Sequence, residues 1–200
     1  MEILKKPFGD YQTNCYILKM ECGELIIDAG MGAHRWIKQE CKNPLALLCT
    51  HGHFDHIWDN AKVKSLFPHI PLICHANDAF MLEGDCFGLG LTPSSPDLKL
   101  EGIENELKFQ DFNVRFLLFA GHTPGCCMIE VNHHLFSGDF IFYHCIGRSD
   151  FEYSNPADMR ESLQRFKTFS PNLPIHPGHG EDTEVTEEQR HIDFWIERTR

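Results

Sequence analysis

Short apolar runs broken by turn-forming residues fill the first thirty positions. Tyr16-Ile17-Leu18 and Leu25-Ile26-Ile27 read as strands, with Glu21-Cys22-Gly23-Glu24 as the turn between them. Asp28-Ala29-Gly30 ends that pattern, and a helix is expected near 32–41. Leu45-Ala46-Leu47-Leu48-Cys49 follows as a buried strand, then a helix from about 57 to 66 that stops before Pro68. Pro71-Leu72-Ile73-Cys74 predicts another strand and 77–83 a helix, whereas 84–104, rich in Gly, Pro, Ser and Asp, carries the weakest signal. Strands return at roughly 106–109, 112–119, 126–131 and 134–137. A helix near 156–168 and a strand at 173–176 precede a last helix over about 184–198, with Val185, Ile192, Trp195 and Ile196 on one face. Consecutive strands mixed irregularly with helices predict sheets covered by helices, an α+β fold without regular βαβ alternation. No repeat or linker is visible, so residues 1–200 are read as one domain.

Charge narrows the partners. A formal net charge of −11 argues against a nucleic acid gripped by a broad basic face. No run approaches the roughly 18 apolar residues of a membrane span, and the opening Met-Glu-Ile-Leu-Lys-Lys-Pro lacks the apolar stretch of a secretory signal. A cytoplasmic address is expected. The nine cysteines form no C-x-x-C pair, so neither a zinc knuckle nor a dithiol redox motif is supported. They are expected to be reduced and to pack as small hydrophobes.

Histidine placement changes the picture more than any of this. His51, His53, Asp55 and His56 crowd into six positions directly after a buried strand. Nitrogen and oxygen donors of this kind suit zinc first, with iron and manganese as alternatives. In a loop, 51 and 53 can point one way and 55 and 56 another, so one segment can feed two adjacent metal sites. His122 in Ala-Gly-His-Thr-Pro-Gly, Asp139 in Ser-Gly-Asp and His179 in Pro-Gly-His-Gly also end apolar strands beside glycine. Two divalent cations about 3.5–4 Å apart can share a hydroxide that attacks an ester-like carbonyl. No G-x-S-x-G is present to support a serine hydrolase.

With these residues in view, the sequence resembles the metallo-β-lactamase superfamily, and more narrowly its glyoxalase II-like hydrolases. The resemblance runs from Leu25-Ile26-Ile27-Asp28-Ala29-Gly30 to His179 and is most specific in the H-x-H-x-D-H segment. It implies an αββα sandwich of two mixed sheets with the site at one edge. It implies that His51, His53 and His122 bind one metal, that Asp55, His56 and His179 bind the second, and that Asp139 bridges both, with Asp55 and Asp139 catalytic. Asp28 corresponds to an aspartate that orients a ligand histidine or its loop; a cap for the following helix is its alternative. The implied reaction is hydrolysis of a small 2-hydroxyacyl thioester or ester.

After Asp139 the chain resembles the Gly-Arg-Ser/Thr-Asp loop of short relatives. There Arg148 is either a clamp for a substrate carboxylate or one half of a structural pair with Asp150. Phe54, Trp58 and Tyr143 are candidate walls of an apolar pocket. Two departures from the longer glyoxalase II enzymes bear on the thiol carrier. The chain ends about twenty residues after His179, without their C-terminal helical domain, and Tyr143 and His144 stand where they place a basic residue and a tyrosine. A lactonase with the same seven ligands and a mononuclear-iron persulfide dioxygenase remain as alternatives, followed by a metal-binding module without turnover. Oligomeric state is not legible.

Overall fold

A computed structural model describes residues 1–199. The first of two mixed sheets takes β1 (Glu2–Phe8), β2 (Thr13–Met20), β3 (Gly23–Ile27), β4 (Pro44–Leu48), β5 (Leu72–His75) and β6 (Leu98–Leu100) in that spatial order. β1, β2 and β3 are antiparallel neighbours, and β3 to β6 are parallel. The chain then builds β7 (Glu104–Phe109), β8 (Phe112–Leu118), β9 (Cys127–Val131) and β10 (His134–Gly138), followed by a hairpin of β11 (Ile141–Phe142) and β12 (Cys145–Ile146). β13 (Pro174–Pro177) and β14 (Thr183–Glu184) complete a second sheet in the order β14-β13-β10-β9-β8-β7.

Alternation along each strand sorts side chains into layers. Tyr16 and Leu18 of β2, Leu25 and Ile27 of β3 and Leu48 of β4 enter a core shared with Val114, Phe116, Ile129 and Phe136 of the other sheet. Their neighbours Cys15, Ile17, Ile26 and Leu47 turn outward beneath α1 (Ala33–Glu40), α2 (Phe54–Ile57), α3 (Asn60–Leu66) and α4 (Ala79–Glu83). On the far side, Met128 and Leu135 pack under α5 (Pro156–Phe166), α6 (Val185–Gln189) and α7 (Ile192–Arg198). This is the αββα arrangement. α5 begins where Asn155 caps Ala157 N and Asp158 N with Pro156 behind it, and it buries Met159, Leu163 and Phe166 at helical spacing.

Two expected helices are broken. The segment predicted over 57–66 starts earlier and divides, because Asp59 N bonds Ala29 O at 2.8 Å instead of continuing a helical ladder from Asp55. Asp55 and His56 consequently sit on the single turn α2 and not in a loop. The last helix divides where Arg190 N and His191 N bond three residues back, to Glu187 O and Glu188 O. Val185, Ile192, Trp195 and Ile196 still share one apolar layer across the break. β6 and β14, at three and two residues, are too short to show a period in sequence. No helix among the described residues is long and apolar enough to cross a membrane.

Strand direction positions the site. Asp28 follows β3 and His51 follows β4, parallel neighbours. His122, Asp139 and His179 follow β8, β10 and β13, which run the same way within the second sheet. The strand ends therefore deliver these residues to one edge of the sandwich.

Candidate metal centre

Seven side chains converge there. The donor atoms of His51, His53 and His122 lie within 4.8 Å of one another, as do those of Asp55, His56 and His179. Asp139 stands between the groups: its Oδ2 is 3.4 Å from His122 Nε2 and 3.3 Å from His179 Nε2, and its Oδ1 is 3.2 Å from His56 Nε2. His53 Nδ1 and His122 Nε2 are 2.8 Å apart, close enough to share a proton or a cation.

Each of four rings is fixed from behind. His122 Nδ1 donates to Arg148 O at 2.7 Å, His179 Nδ1 to Tyr11 O at 3.0 Å and His56 Nδ1 to Asp28 Oδ2 at 2.8 Å. The Thr50 hydroxyl donates to Asp28 Oδ2 at 2.6 Å and so accepts from His51 Nδ1 at 3.1 Å. Those bonds aim the Nε2 atoms of all four inward, as imidazole ligands require. Asp28 also accepts from Thr50 N and makes no cap to α1, whose first N–H groups, on Gly32 and His34, donate to Asp59 Oδ2 instead. Gly178 admits the close approach, since a Cβ there would stand 2.2 Å from Asp139 Oδ1 and 2.6 Å from His56 Cε1.

The electrostatics divide the cluster. Burial holds the His51 imidazole well below its ordinary value and pushes His53 down to about 3, so both are neutral ligand-ready rings. Burial opposes charge at His56 and His179 too, but Asp139, Asp55 and, for His56, Asp28 outweigh it. His56 is raised and His179 reaches about 9. Burial would raise the Asp55 carboxyl, yet His56 and the bonds from His179 and Thr13 hold it at about 2. Asp139 is likewise held well below the carboxylate range by His56, His122 and His179 despite burial. The carboxylates demand positive charge beside them. Two buried atoms of the cluster lack hydrogen bonds: His51 Nε2, and Asp139 Oδ1, which is too poorly aligned with His56 to form one. Imidazole nitrogens, carboxylates and orphaned inward-facing acceptors fit divalent cations.

The family model described as "Metallo-beta-lactamase superfamily" matches residues 8–188. The probable metallo-hydrolase YqgX of Bacillus subtilis is 32% identical over 97% of each chain. The chain belongs to the metallo-beta-lactamase superfamily. Hydroxyacylglutathione hydrolase GloC of Haemophilus influenzae is 30% identical over 94% of this chain and 95% of its own. Among solved structures, the B3 metallo-beta-lactamase BLEG-1 superposes with a TM-score of 0.85 at 29% identity, covering 97% of this chain and 99% of that one. TTHA1623, in a di-iron-bound form, superposes with a TM-score of 0.78 at 28% identity, covering 94% and 97%. The protein is thus a metallo-hydrolase of this superfamily, with a metal-binding fold and histidine–aspartate clusters at its edge.

The superfamily site opens into a cavity of about 590 Å³. Phe54 and Arg148 line it, but Tyr143 and His144 do not. The β11–β12 turn carries those two away from the seven side chains. His144 bonds Glu187 at 3.0 Å, its N–H is held by Glu188, and Tyr143 stacks on its ring. The expected substrate contacts from Tyr143 and His144 are therefore not placed at the site. Trp58 packs with the outer helices. Arg148 forms the pair with Asp150, two bonds of 2.8 Å, while its carbonyl orients His122.

Sequence reasoning missed several supports. Buried Asp78 accepts from Gly52 N, Thr123 Oγ1 and Gly125 N, tying the His51–His53 loop to the one beside His122. A lone carboxylate within the apolar stretch Ala76–Leu82 was its signal. Thr13 Oγ1 donates to Asp55 Oδ2 at 2.6 Å. Tyr16 and Asn14 hold Pro177 O, anchoring the turn that carries His179.

Proposed function

We propose that the protein hydrolyses thioesters of 2-hydroxy acids, the hydroxyacylglutathione hydrolase type of reaction, with two divalent cations. His51, His53 and His122 would hold one and Asp55, His56 and His179 the other, with Asp139 between. The observation that carries this reading is the pair of orphaned acceptors, His51 Nε2 and Asp139 Oδ1, buried among five more donors at one floor. Bound there, divalent cations supply Lewis acidity toward a carbonyl oxygen and a water acidified to near neutral pH.

The chain's own residues do the rest. Asp28, Thr50, Tyr11 O and Arg148 O fix four imidazoles in one tautomer and orientation. Thr13 holds the Asp55 carboxylate toward His56 and His179. Zinc is the proposed metal; the donor set accepts iron or manganese equally. Thioester chemistry is supported by the likeness to GloC over nearly the full chain. The likeness to BLEG-1 favours β-lactam cleavage as the second reading. A reducing cytoplasm is the compartment assumed, supported by nine free thiols, six of them buried.

The test is a metal count on purified protein, with a 2-hydroxyacyl thioester, a lactone, a β-lactam and a persulfide assayed side by side. Thioester cleavage without dioxygen uptake is expected. Dioxygen uptake with the persulfide, or turnover confined to the β-lactam, would overturn the reading.

A further inference from the structure

The walls of the cavity above the histidines are aromatic. Tyr11 meets Phe54 edge-on at 5.3 Å between ring centroids, and Phe54 meets Phe87 at 5.9 Å. Phe151 faces His53 and His122 across 6.0 and 6.1 Å. Tyr11 is 63% exposed and Phe151 42%, so neither ring serves the core. Aromatic rings left in water around a concave site mark where the apolar part of a ligand settles.

Charge at the rim points the same way. Among the described residues lining the cavity, Arg148 is the one cation besides the histidines, and Glu152 lines it too. The Arg148 guanidinium is engaged by both Asp150 oxygens and lies 4.2 Å over the Phe151 ring. Asp150 already neutralises that guanidinium and takes two of its five N–H donors. A substrate carboxylate arriving there meets the Asp150 charge beside it, which offsets what the remaining N–H groups offer. Seating an apolar group against the rings carries no such offset.

We propose that this site selects its substrate by an apolar group, an aromatic or branched aliphatic portion seated between Phe54, Phe87 and Phe151, and draws no selectivity from carboxylates on the thiol carrier. The inference rests on the thioester reading and narrows it.

Four thioesters test it, crossing a 2-hydroxypropanoyl or 2-hydroxy-2-phenylacetyl group with glutathione or neutral N-acetylcysteamine as carrier. On the metal-loaded protein the phenyl group raises kcat/KM by about ten-fold or more on either carrier. The two carriers differ by less than about three-fold. Phe87→Ala and Phe151→Leu bring the phenyl-to-methyl ratio toward one. A ten-fold preference for glutathione with no response to the phenyl group would overturn the proposal. Calorimetry with uncleavable thioethers, S-benzyl against S-methyl on both carriers, reads the collar without turnover. Tighter binding of the benzyl compounds supports the proposal, and equal binding sinks it. If none of the four thioesters is cleaved, the thioester reading fails, and calorimetry still decides what the rings bind.

Discussion

The floor and the mouth of the cavity are built on opposite plans. At the floor, four imidazoles are each bonded from behind, and their partners Asp28 and Thr50 are themselves buried. At the mouth, Tyr11 stands largely and Phe151 partly in solvent, and Arg148 and Asp150 pair on an exposed rim. The floor is over-determined because donor positions must be held to a fraction of an ångström for metal chemistry. The mouth meets only shape and apolarity, which tolerate adjustment. Substitutions at the floor should therefore act through metal content, and those at the mouth through KM.

The largest expected effect is at Asp139. Asp139→Ala removes the one carboxylate near His56, His122 and His179 together, and should lower kcat/KM by at least about 10²-fold with loss of one metal equivalent. Asp28→Ala, one step behind His56 and Thr50, should cost about 10–100-fold in metal affinity by chelator competition. If Asp28→Ala binds metal normally, the rigidity of the floor is not what the hydrogen bonds provide. Asp78→Ala strands three donors and should destabilise the fold by about 1–3 kcal/mol in urea unfolding.

Metal removal supplies a pH signature. In metal-free protein burial works against the His179 proton, but Asp139 and Asp55 raise its value to about 9, above roughly 6.5 in the unfolded chain. A raised group contributes its stability fully below the unfolded value and loses it as pH climbs through the folded one. The melting temperature of metal-free protein should therefore fall from pH 7 to 10, and metal loading should flatten that slope. The smallest effect belongs to the rim. Arg148→Met should change KM by less than about three-fold, even for carboxylate-bearing substrates.

The contrast between floor and mouth also marks what was legible in the sequence. His51, His53, Asp55 and His56 were conspicuous because a dense donor cluster follows an apolar strand, and His122, Asp139 and His179 because each ends a strand beside glycine. Tyr143 and His144 were misplaced because their side-chain direction depends on a two-residue hairpin turn, where His144 adopts a φ of 53°. The aromatic collar was only partly visible: Phe87 comes from 84–104, where no period exists to orient it. The break at Asp59 was hidden for another reason. Its N–H bonds Ala29 across the fold, a long-range partner that no local spacing announces.

The central claim is that seven side chains hold two cations around Asp139. Anomalous scattering from metal-loaded crystals measures it directly. The expected map has two peaks about 3.5–4 Å apart, one against His51, His53 and His122 and one against Asp55, His56 and His179, with Asp139 touching both. A single fully occupied peak in fully loaded protein, with either trio left without metal, would contradict it.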